Sequence, residues 1–425
     1  MTAPAKPVGY LQLLRQNPNF RILWSGQIVS LLGDWFNLIA SASLIAALTQ
    51  SGAAVGGLFV VRMLAPFIVS PVAGVFADRY NRKHLLIITD IVRAITVIGF
   101  LFIRSPEWVW LIYVLTAIQM AGQGFFFPAR NSILPDLTTD DELGAANALS
   151  SVTWSVMLAF GAALGGIFAG IWGVYPAFVL DAITFIVSAL ILSQLDYTPP
   201  VALGDSDKSV MAGVRQYLDG LSYLRHHLDI LVIAIQKMSN ALFIAGAFEV
   251  LQVLIAEEYF PIGEGGGISL GIMYGVAGVG TGIGPIIARM FSKDRDLQIR
   301  YTMMFGYIVS IIGLLTIASL ANFPVVLLGV FLRGLGGGVV WVMSTQLLLQ
   351  LVPLDVRGRV FSTEFAFNTL GAAIGAGSVG TILDTSLTLP NLLVIMAGLV
   401  IIPFGLWTYW TFFGTREKAK ATQNA

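Results

Sequence analysis

Long apolar runs, broken at short intervals by Gly, Pro and charged residues, fill the chain from residue 21 to residue 413. A helix needs about 20 mostly apolar residues to cross a hydrocarbon core of about 30 Å. Runs that meet this requirement fall near 21–48, 54–77, 85–103, 108–129, 143–171, 175–195, 229–256, 267–290, 299–320, 324–351, 357–383 and 390–413. The pattern predicts an all-α membrane protein of twelve transmembrane helices. Ser51-Gly52, Ser105-Pro106, Gly173 to Pro176, Asn322 to Pro324 and Pro390 mark the breaks between runs.

The longest polar stretch runs from Asp196 to Asp229 and contains Pro199-Pro200 and Gly204-Asp205. It divides the chain into an N-terminal six-helix bundle (1–195), a linker (196–228), a C-terminal six-helix bundle (229–413) and a tail (414–425). Within the linker, Val210 to His226 reads as helical. The halves repeat weakly. A shift of 214 residues lays Gln119, Gly122 and Gly124 on Arg333, Gly336 and Gly338, and Leu137, Asp141 and Gly144 on Leu351, Asp355 and Gly358. A shift of 210 lays Gly74, Arg79 and Lys83 on Gly284, Arg289 and Lys293. Two pseudo-symmetric bundles are a transporter architecture.

Composition sharpens this picture. Of 425 residues, 56% are hydrophobic and only 11% charged. A soluble domain carries about 25% charged residues. Glycine, at 45 residues, suits close helix packing in lipid. The chain has no cysteine, which excludes disulfides and thiolate metal sites. Net charge is zero, and no clustered basic face points to nucleic acid. His84, His226 and His227 are predicted to lie in loops. No Walker-type loop points to ATP, and no nucleophile–base arrangement points to an enzyme or a bound cofactor. The first apolar run is too long for a signal-peptide core, so no cleavable leader is expected.

Basic residues orient the chain. With both termini cytoplasmic, 19 of 24 Lys and Arg fall on cytoplasmic segments, four (Arg62, Arg93, Lys237, Arg333) lie within spans, and Arg104 alone is outside. The expectation is a multi-pass protein of the inner cell membrane, monomeric and embedded in lipid.

The loop after the second span reads GVFADRYNRK, from Gly74 to Lys83. It resembles the cytoplasmic signature of the major facilitator superfamily, with Gly74, Asp78, Arg79, Arg82 and Lys83 in the signature places and Asn81 where that family more often has Gly. The resemblance implies a conformational latch on the cytoplasmic side, and Arg130 at the end of span four is read as part of the same gate. Phe20 to Trp35, Pro128 to Leu149, Leu180 to Leu192 and Leu351 to Ser362 are similar to the drug/proton antiporter branch, which includes macrolide-efflux proteins and enterobactin-type siderophore exporters. One departure matters. Met120 stands where many drug antiporters have Arg, upstream of Gln123-Gly124, so that Arg's proton-relay role does not transfer.

An ionisable residue deep in the bilayer costs about 2.5–3.5 kcal/mol on insertion scales and is a functional candidate by default. Asp34 and Arg62 lie about 20 and 22 Å from the cytoplasmic ends of their spans, which allows them to pair. Arg333 and Glu364 each lie about 14 Å from a face and form a second candidate set, with Asn368 one turn beyond Glu364. Glu249 is a candidate for proton exchange toward the outside. Asp90 and Arg93, three residues apart, read as a structural pair. These residues, with the resemblance, imply export of a hydrophobic or amphiphilic small molecule by alternating access, driven by proton antiport. A dedicated siderophore or lysophospholipid carrier, and a non-transporting receptor or scaffold, stand as alternatives.

Overall fold

The computed structural model describes residues 9–198, 210–292, 295–385 and 387–414, and all regular structure among them is helical. The spans are Pro18–Thr49, Gly52–Arg79, Arg82–Phe100, Val109–Ile133, a fifth from Asp140 to Trp172, Val174–Ser193, a seventh from Leu228 to Tyr259, Gly267–Ser292, Asp296–Ala318, Phe323–Leu351, Leu354–Leu383 and Leu389–Tyr409. Eleven of these are long and apolar enough to cross a membrane. The third falls short because it carries Arg82, Lys83, Asp90 and Arg93 within 19 residues. The linker piece Val210–His226 is helical as predicted, whereas 199–209 and 415–425 lie outside the described residues. His84 sits in the first turn of the third helix rather than in a loop.

Local chemistry sets the helix ends. Asn17 caps the first span, its side chain accepting from the Phe20 N–H at 2.9 Å, with Pro18 next in line. Asn322 caps the tenth in the same way through the Val325 N–H at 3.0 Å. Asn81 caps the third, accepting from the Lys83 N–H at 3.0 Å. That explains Asn at a place where the resemblance leads one to expect Gly. Thr139 and Glu142 form a capping box at the start of the fifth.

The chain forms two compact units: residues 1–50, 64–214 and 261–272 in one, and 51–63, 215–260 and 273–425 in the other. The first part of the second span therefore belongs to the second unit, and the first part of the eighth span to the first unit. Glycine makes both attachments close. In the first unit, a Cβ on Gly166 of the fifth span would stand 2.4 Å from Gly271 Cα. In the second, a Cβ on Gly56 would stand 2.7 Å from the Ala376 carbonyl of the eleventh span. Asp384 completes the latter contact: its carboxylate accepts from the Gly52 N–H and the Ser51 hydroxyl, both at 2.7 Å, at the positive end of the second helix.

Side chains on the other helix faces are large, apolar and exposed, as at Ile286, Met290, Phe305 and Leu406. A lipid-facing surface has this composition; a water-facing one does not. The ninth and tenth spans pack closest, on Gly306, Gly313, Gly329 and Gly336. A Cβ on Gly336 would stand 2.2 Å from the Gly306 carbonyl, whereas one on Gly398 meets nothing within 4 Å. Gly336→Leu is therefore expected to destabilise the folded protein by about 1–3 kcal/mol through overpacking. Gly398→Leu is expected to leave thermal melting in detergent unchanged or slightly raised.

Candidate functional site

Buried charge in the first unit gathers around one guanidinium. Arg93, only 1% exposed, donates through Nη2 to Asp34 Oδ1 and through Nη1 to Ser30 Oγ at 3.3 Å. Its Nη1 also stands 3.5 Å from Asp90 Oδ1, and its face covers the Phe185 ring at 4.0 Å. The charge of Asp181, from the sixth span, reaches the same guanidinium. Asp181 Oδ2 faces Gln119 Nε2 at 3.4 Å. Glycines admit the assembly. A Cβ on Gly122 would press on the Arg93 stem, and one on Gly33 would collide with Thr184 and Asp181.

The second unit holds two sets. In the first, Glu249 Oε2 accepts from the Tyr274 hydroxyl and from Gln252 Nε2 at 2.9 Å. The charges of Arg333 and Arg62 both act on this carboxylate. Arg333 lies over the Phe248 ring at 4.2 Å and donates to the Ile244 carbonyl at 3.2 Å. Ile244 lies in a π-helical turn, Ala241–Ala245, and such turns redirect backbone carbonyls. In the other set, Lys237 pairs with Glu364 at 2.9 Å, with the Trp341 ring 4.6 Å from its ammonium. Asn368 Oδ1, one turn on from Glu364, is buried without a hydrogen-bond donor.

One expected pairing is replaced and another is supplemented. Asp34 is bound to Arg93 in the first unit, while Arg62 belongs to the second unit and acts there on Glu249. Similar depths permit a pair but do not choose it; helix rotation does. Glu364 is bound to Lys237, not Arg333. Arg333 lies 18 residues before Leu351 and Glu364 ten residues after Leu354, about 27 and 15 Å from the neighbouring ends of their two helices, so they are not at the same height. Lys237 and Glu364 lie nine and ten residues into their helices from Leu228 and Leu354, which places them level when the helices run in the same direction. Tyr274 and Gln252 carry no signal in the sequence that marks them as partners of Glu249.

The sequence profile of the Major Facilitator Superfamily matches residues 23–376 and 293–425. The chain belongs to this superfamily. Among its relatives in the superfamily, an uncharacterized MFS-type transporter, YfiS, from Bacillus subtilis (strain 168) is 25% identical over 404 residues, covering 93% of this chain and 94% of that protein. Macrolide efflux protein A from Streptococcus pyogenes is 23% identical over 367 residues, covering 84% and 87%. The major facilitator fold is shared with the nucleoside transporter NupG, at a TM-score of 0.74 and 14% identity, with 93% of this chain and 99% of that chain covered. It is shared also with a bacterial homologue of the iron transporter ferroportin in its inward-facing state, at 0.72 and 14%, covering 94% and 99%.

The superfamily signature is partly placed. Arg82 pairs with Asp136 at 2.5 Å and donates to the Ala77 and Ser132 carbonyls. Tyr197 donates to the same Asp136 at 2.8 Å, and burial with that hydrogen bond pushes its phenol up to about 12. Lys83 donates to the Leu195 carbonyl at 2.6 Å. Arg130 is buried and donates to Ser150 and Asn131. Gly74, Asp78 and Arg79 lie outside the residues whose side chains are described.

Removing one partner of a buried ion pair leaves a charge uncompensated, which costs about 3–5 kcal/mol, whereas replacing both by apolar residues is often neutral. Lys237→Met and Glu364→Met are each expected to lower thermal stability in detergent, and the double variant to recover most of the loss.

Proposed function

We propose that this major facilitator transporter exports a hydrophobic or amphiphilic small molecule by alternating access, coupled to proton antiport. The observation that carries the reading is the set of buried carboxylates, Asp34, Glu249 and Glu364, each held by partners that a proton or a cargo group can replace. A ligand shifts a conformational equilibrium only by the difference between its affinities for the two states. Deep carboxylates provide that difference, because neutralising one frees a cation that must find a new partner. Few charges and much apolar surface suit an amphiphilic cargo, and macrolide efflux by a relative agrees with export.

Alternating access draws support from the two exchanged helix segments. Residues 52–63 dock on the eleventh span through Gly56 and Asp384, and 267–272 on the fifth through Gly166. Such glycine contacts join and part without side-chain repacking. In this reading the halves 1–195 and 229–413 work as two bundles joined by the linker 196–228, as a monomer in the lipid of the inner membrane. Both termini are cytoplasmic, and Gly74, Asp78, Arg79, Arg82, Lys83 and Arg130 serve the cytoplasmic gate.

The test is proton flux in proteoliposomes under an imposed pH difference, with a panel of amphiphilic compounds added in turn. The intact protein is expected to move protons when a transported compound is added, and Asp34→Asn or Glu364→Gln to abolish that movement. Compound flux with no proton movement would remove the coupling; no flux with any compound would remove the export reading.

A further inference from the structure

Asp90 is fully buried in the third span, and the superfamily signature does not include it. Its surroundings hold more negative than positive charge. The charged groups facing it are Arg93 on its own helix and Asp34 from the first span, while Asp181 from the sixth span acts on the same guanidinium. The fourth span contributes Gln119, which is neutral. Among the described residues, Asp34 and Asp90 therefore both face this one guanidinium in a water-poor interior. Asp34 holds that guanidinium by a direct hydrogen bond, whereas Asp90 Oδ1 is 3.5 Å from it and has no hydrogen-bond partner. Unpaired negative charge at such a site costs several kcal/mol unless a proton neutralises it.

The hydrogen inventory at Ser188 says where that proton sits. Ser188 Oγ lies 2.6 Å from Asp90 Oδ2 and 3.1 Å from the Gly26 carbonyl oxygen. A serine hydroxyl has one hydrogen to donate and lone pairs to accept with. If Asp90 were ionised, that single hydrogen would face two acceptors and satisfy one. If Asp90 carries a proton on Oδ2, a chain closes: Asp90 donates to Ser188, and Ser188 donates to Gly26.

We infer that Asp90 holds a proton at neutral pH, bonded to Ser188, and that this site is the protein's proton store next to the Asp34–Arg93 pair. Its role in coupling rests on the proton-coupled reading above. When a proton or a cationic group of the cargo neutralises Asp34, Arg93 is left to Asp90. The ionised form of Asp90 is then favoured, and its proton passes by way of the Ser188 hydroxyl to water in the opened transport pathway. No bond other than O–H changes, and the charge around Arg93 is conserved.

Infrared spectroscopy of the purified protein in lipid nanodiscs reads protonation directly, without any transport. At neutral pH the intact protein is expected to show a protonated-carboxyl C=O band, sensitive to deuterium exchange, that Asp90→Asn removes and that Asp34→Asn, which neutralises the competing carboxylate and leaves Arg93 to Asp90, weakens. Ser188→Ala, which keeps the carboxyl but removes its acceptor, is expected to move that band to higher frequency. A spectrum unchanged by Asp90→Asn overturns the assignment. If Asp90→Asn does not fold, a band that stays in place in Ser188→Ala overturns it instead. A positive result in a protein that shows no proton flux would leave the store in place and remove only its role in transport.

Discussion

A charged side chain in hydrocarbon has no water to solvate it, so each must find a counter-charge or a donor set close by. That requirement organises the interior of both units. Around Arg93 it draws in Asp34, Asp90, Ser30 and the face of Phe185. Around Glu249 it draws in Tyr274, Gln252 and the charges of two arginines. Lys237 and Glu364 answer each other beside Trp341. Polar groups satisfied in this way hold helices in register in a medium where apolar side chains gain nothing by leaving lipid.

Glycine makes these arrangements sterically possible. Gly122 leaves room for the Arg93 stem, and Gly33 for Asp181. Elsewhere it brings helix backbones together, most closely between the ninth and tenth spans. The same property at Gly56 and Gly166 lets the beginnings of the second and eighth spans leave the unit that holds the rest of each helix. Close packing and polar satisfaction are thus complementary. The first sets how near two helices come, and the second sets which faces they turn to each other.

The fold was legible in the sequence because crossing a bilayer imposes a length and an apolar composition on every span. Even the third span, with four charges, was found from the breaks on either side of it. Asn322 was readable as a boundary, and the structure shows the capping bond behind it. The partners of the buried charges were not legible. Depth along a helix follows from counting residues, but which way a side chain points depends on helix rotation and tilt, which packing decides. Asp34 was found by depth, but its bond to Arg93 was not. Glu364 was compared with Arg333 across antiparallel helices of 29 and 30 residues, about 44 Å long, where equal counts of about 14 Å from opposite ends mean different heights. Ser188 and Tyr274 look like any polar residues in an apolar run until the carboxylate beside each is seen.

The claim on which the account rests is that each buried carboxylate is held by a particular partner in its own unit, beginning with Asp34 and Arg93. A double-mutant cycle of Asp34→Asn and Arg93→Met, read as unfolding stability in detergent, tests it most directly. Bonded partners are expected to couple by about 0.5–3 kcal/mol, so the double variant should lose clearly less than the two single losses combined. Losses that simply add would contradict the pairing, and with it the picture of local neutralisation.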